Sequence, residues 1–104
     1  MNSTKELLHQ IHDPNISNDE RALKRCRLAK QFEEVGNYEA ARDAMGELWS
    51  GIGTEPNVRG LDQQAAAEVL LRGGTLTGWI GSTKQIEGAQ EIAKDLIGQS
   101  YRHF

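Results

Sequence analysis

His9 and His12 stand three residues apart in KELLHQIH, the spacing at which two imidazoles share one side of a helix and can hold a divalent metal. Such a centre needs a third ligand. Neither an HExxH pattern nor a cysteine pair accompanies the two histidines, and His103 belongs to the C-terminal end. The pattern predicts solvated histidines and no metal site. Cys26, the single cysteine, falls on an apolar helical side with no identifiable base, which suits a small core residue better than a nucleophile. Glu33 and Glu34 are adjacent acids near a helix end, where a solvated face explains them more simply than general acid/base chemistry. Gly78–Lys84, GWIGSTK, has the glycines and lysine of a phosphate loop in the wrong order. GxxxxGK[ST] requires glycine directly before the lysine, and Thr83 stands there. No catalytic set and no cofactor motif emerges, so the reading is of a protein that is not an enzyme.

The compact charge cluster is basic: Arg21, Lys24, Arg25, Arg27 and Lys30. On a helix these residues spread around much of the circumference, and the chain as a whole carries a formal charge of −3. Nucleic acid is therefore not the expected partner, and a regulatory or nucleic-acid-binding module using Arg21–Lys30 is the alternative reading. The first residues, MNSTKELLHQ, lack the apolar run of a secretion signal, and no stretch reads as a membrane span. A cytoplasmic protein is expected.

These residues must be held by helices. Strand-forming and aromatic residues are sparse, with aromatics at 6%, so a core of Leu, Ile and Ala with the anchors Phe32, Tyr38, Trp49 and Trp79 is expected in one all-α domain spanning 1–104. Ser3-Thr4-Lys5-Glu6 has the form of a capping box and opens a first helix within 1–15, which Asp13-Pro14 ends. Ser17-Asn18-Asp19-Glu20 repeats the box ahead of Ala22, Cys26, Ala29, Phe32 and Val35 at helical spacing. Gly36 then ends that helix, and Asn37 caps the next, whose face carries Tyr38, Ala41, Met45, Leu48 and Trp49, with Gly46 inside it. The two form a hairpin over 17–50, with Phe32 and Tyr38 packed near its turn.

The glycine- and proline-bearing stretch 51–61 reads as a long flexible loop. Asp62 caps a fourth helix through Ala65, Ala66, Val69, Leu70, Leu76, Trp79 and Ile80, with a break allowed near Gly73. Ser82-Thr83-Lys84-Gln85 is a third box and opens a fifth helix with Ile86, Ala89, Ala93, Leu96 and Ile97 inward. That places a second hairpin over 62–104, with its corner at Gly81-Ser82.

Leu28-Ala29, Phe32, Gly36-Asn37-Tyr38, Ala41, Met45 and Leu48 together resemble a tetratricopeptide repeat (TPR), covering about 22–55. Arg25 departs from the large apolar residue this family favours at that place, and the expected proline is displaced to Pro56. A divergent copy over about 70–103 sets Leu76-Thr77, Ile80, Ile86, Ala89, Ala93 and Leu96 on the matching positions. Lys84 occupies the place of the turn glycine, and the offset from Ala41 to Ala89 exceeds the family's period of about 34 residues.

The resemblance implies a TPR-like α-solenoid fragment of about five helices that binds a protein or peptide and needs no cofactor. Its inner groove would be lined by first-helix residues: Leu23, Cys26, Lys30 and Glu33 in the first copy, with Leu71, Gly74, Gly78 and Gly81 in the second. Some relatives clamp a peptide's terminal carboxylate with lysine and asparagines. Only Lys30 matches that set, so this specificity is not carried over. The glycine run needs a compensating close contact, either internal packing, for instance against the N-terminal helix, or a partner helix. Arrays of this kind usually need about three repeats, so the chain is expected either to belong to a longer array or to cover its open end as a homodimer.

Overall fold

The computed structural model describes residues 4–103. Among them are five α-helices, one 3-10 turn and no strand. Helix α1, Thr4–Ile11, buries Leu7 and Ile11; Ser3 of its expected capping box lies outside the described residues. Its C-terminal end is closed from α2, where Arg21 donates through Nε to the Ile11 carbonyl at 2.9 Å and through Nη2 to that of Asp13 at 2.8 Å. A cation at that end also opposes the negative pole of the helix.

Helix α2, Asn18–Glu34, starts where its box predicts, with Ser17 Oγ accepting from the Glu20 amide at 3.1 Å. It ends in a Schellman arrangement: Gly36, at φ +77°, donates to Glu33 and Asn37 donates to Phe32. Asn37 then turns from C-terminal partner to N-cap, accepting from the Ala40 amide at 3.2 Å to open α3, Tyr38–Met45. Val35 does not join the core as its spacing predicts. It is the residue on which α2 ends, so the helical period no longer governs it, and it is 77% exposed.

Gly46 is not interior to a helix. At φ +56° it terminates α3 and passes the chain into the 3-10 turn Gly46–Leu48, which delivers Leu48 and Trp49 to the core. The following connection is anchored rather than loose: the Asn57 amide donates to the Leu48 carbonyl at 2.7 Å, and buried Pro56 presses on Gly73.

Asp62 caps α4, Gln63–Thr83, through a 2.8 Å bond from the Ala65 amide. The helix runs through Gly73 and Gly74 without the expected break and is buried on several sides, as suits the central rod of the molecule. Its length displaces the second corner. Ser82 and Thr83 belong to α4, and the chain reverses over 84–88 instead, with Gln85 at φ +53° and Gly88 at φ +80°. Consequently α5, Ala89–His103, starts later than its box suggests, and Ile86 lies in the turn, exposed rather than inward. Gly81 owes its identity to contact and not to a bend: a Cβ there would overlap that of Ala89. At Gly74 an added Cβ would fall 2.8 Å from Ile97 Cγ1. The glycine run thus lets α5, not the N-terminal helix, approach α4.

Helix α2 packs against α1, α3 and α4, and α4 against α2, α3 and α5. A single apolar cluster joins α1 through α4 around Leu7, Leu28, Met45, Trp49, Val69 and Leu76. Phe32 and Tyr38 flank it half-buried, yet the ring partner of Tyr38 is Trp79, stacked with centroids 5.8 Å apart and planes 3° from parallel.

Candidate functional site: two grooves flanking helix α4

Two open grooves run along α4, and five of the residues singled out from sequence line them: Leu23, Cys26 and Lys30 one, Gly74 and Gly78 the other. Leu23, Cys26 and Lys30 of α2 face Gln64, Glu68 and Arg72 of α4 across a groove of about 290 Å³. Burial pushes the Cys26 thiol up to about 12, helped by the charge of Glu68 and opposed by that of Arg72. Such a thiol stays protonated near neutral pH and is a poor nucleophile. Glu33 does not line this groove. Both its oxygens accept from Arg72 Nη1 at 3.2 Å and Oε1 accepts from Thr75 Oγ1 at 3.0 Å, so its carboxylate clamps α2 to α4.

Gly74 and Gly78 line the other groove, about 330 Å³ between α4 and α5, with Trp79, Ala93, Lys94 and Ile97. Gly74 is covered by α5, whereas Gly78 is half-buried and leaves ordinary contact distance to Ala93, 3.6 Å from an added Cβ. Gln90 donates to the Gly78 carbonyl at 3.0 Å and bridges the two helices.

Trp79 stands at the rim of this groove, 51% exposed, with its ring stacked on Tyr38. An ion pair braces the same corner: Lys84 Nζ lies 2.9 Å from Glu39 Oε1. The hydrogen bond from Lys84, then the charge of Arg42, holds the Glu39 carboxyl below its usual range. Sequence reasoning assigned Trp79 to the core. Because α4 is apolar on most of its circumference, spacing along it does not tell a buried face from an open one; the adjacent glycine, which leaves space beside the ring, was the available signal.

The basic run is largely committed within the molecule. Arg21 closes α1, Lys24 donates to Gln10 Oε1 at 3.1 Å, and Arg25 donates to the Ala44 carbonyl at 3.2 Å, while Arg27 and Lys30 are exposed. His9 and His12 are exposed on and beside α1, and among the described residues no three His, Cys, Asp or Glu side chains gather as metal ligands. No helix there is long and apolar enough to cross a membrane. Gly78 and Gly81 of the glycine–lysine stretch are helical and make no loop. A comparison with known protein families, curated proteins and solved structures finds no match to this chain.

Proposed function

We propose that this chain is a protein-interaction module without catalytic activity, built from TPR-like helical hairpins, that takes up a protein or peptide segment along the α4–α5 groove. The observation carrying this reading is Trp79: a large aromatic side chain, half in solvent, stacked on Tyr38 at the edge of an apolar trough. Tryptophan is enriched among the residues that dominate binding energies, and a ring already stacked on a neighbour has less freedom to lose when a partner covers it. The order of neighbours along α1 to α5 supports the hairpin reading, and the formal net charge of −3, with only Arg27 and Lys30 of the basic run exposed, counts against the nucleic-acid alternative.

The test uses the immobilised full chain to capture proteins from its native cell, with Trp79→Ala and Lys30→Glu as parallel baits. A partner kept by Lys30→Glu and lost by Trp79→Ala supports the α4–α5 groove. Loss with Lys30→Glu alone moves the contact to the α2–α4 groove. Identical capture by all three baits overturns the reading. Light scattering on the same samples shows whether a second copy of the chain is the occupant: a dimer that Trp79→Ala dissociates would place the homodimer contact here.

A further inference from the structure

A third, smaller cavity lies elsewhere and shares no residue with the α4–α5 groove. It encloses about 130 Å³ between α2, the 3-10 turn and residues 57–61, and is lined by Arg21, Arg25, Arg59, Asn18, Asn57 and Glu47. That is room for several waters or one tetrahedral oxyanion. Three guanidinium groups and one carboxylate border this space. None of the three arginines belongs to an ion pair among the described residues, where the paired cations are Arg42, Arg72 and Lys84.

Asn18 and Asn57 add side-chain amides to the wall, and Ala22, Leu48 and Leu61 make up its apolar part. Arg21 and Arg25 are held from behind by main-chain carbonyls, which fix the positions of their charges without neutralising them. Asn18 and Asn57 use their side-chain oxygens to accept, from Arg21 Nη1 at 3.4 Å and from the Arg59 amide at 3.2 Å, which leaves their NH₂ groups as the unused ends. A small space bordered by two anchored guanidinium groups, the exposed Arg59 and two side-chain amides is matched by a compact oxyanion with several acceptor atoms. We propose that this cavity binds a phosphate-class oxyanion, either free phosphate or the phosphate of a small monoester. Exposed Glu47 is its internal competitor.

The test is a titration of the full chain with inorganic phosphate and, separately, with O-phosphoserine. It is followed by ¹H–¹⁵N spectra at constant ionic strength, with chloride as control. Saturable shifts confined to Asn18, Glu47 and residues 57–61 are expected. Arg59→Gln should weaken phosphate about tenfold, the scale of one charge-assisted hydrogen bond, and Glu47→Gln should tighten it. Arg59 is exposed and its guanidinium holds no other element, so an unchanged melting temperature will separate loss of binding from loss of fold. Phosphate alone binding identifies the free ion as ligand; phosphoserine binding as well identifies an ester. Equal shifts with chloride, no saturation at tens of millimolar, or an Arg59→Gln variant with unchanged affinity would overturn the assignment.

Discussion

At Gly46 the guanidinium of Arg25 fills the space where another residue would carry its Cβ, only 2.5 Å from Nη1, while the backbone sits at φ +56°. Gly46→Ala should therefore cost about 1–3 kcal/mol from a positive-φ backbone that side chains rarely adopt, and more from displacing Arg25, as measured by urea unfolding. The sequence suggested an ordinary interior glycine and an arginine out of place. Neither reading exposed the contact, because it joins residues on different helices and no local spacing encodes it. Cys26 makes a second prediction at this scale. Its folded thiol titrates near 12 against 9.0 for the ordinary group, so protonation favours the native state. That contribution is fully present below pH 9 and is lost as pH rises from about 9 toward about 12. Thiol titration at pH 8 should be slow in buffer and fast in urea; equally fast labelling in both would show that the groove leaves the sulfur open.

Among the elements, ends were legible where a side chain caps its own helix and illegible where a neighbour decides. Ser17, Asn37 and Asp62 cap as their types and spacing suggest, since each bond spans three residues. The same chemistry misled at Ser82, because α4 continues past it to keep Gly81 against Ala89. Gly81→Leu should accordingly force α5 from α4 and sharply lower the melting temperature, whereas Gly78→Ala should be tolerated, with 3.6 Å to Ala93. Similar melting points for the two variants would mean that close approach does not hold this pair together. The clamp between α2 and α4 behaves differently. Arg72 and Glu33 are 10% and 14% exposed, so Glu33→Ala strands a nearly buried guanidinium and should cost about 3 kcal/mol in urea unfolding. A loss below about 1 kcal/mol would place the pair among ordinary surface bridges.

The whole molecule has a radius of gyration of 13.0 Å, the value of about 13 Å expected for a domain of this length. Its all-α character followed from composition and capping, but the division of its interior did not. The main apolar cluster ends at α4, while α5 adds Ala89, Ala93, Leu96 and Ser100 along a seam of small residues. Amide exchange should therefore be faster throughout α5 than in the buried centres of α2 and α4, and uniform protection would instead mean one cooperative unit. The two tryptophans make the same partition visible by light. Trp49 is 1% exposed and Trp79 is 51% exposed, so the first indole should emit at shorter wavelength than the second, which is half in solvent. Acrylamide should quench the long-wavelength half of the emission first, giving the chain a built-in pair of optical probes: one for collapse of the interior, the other for whatever settles on its rim.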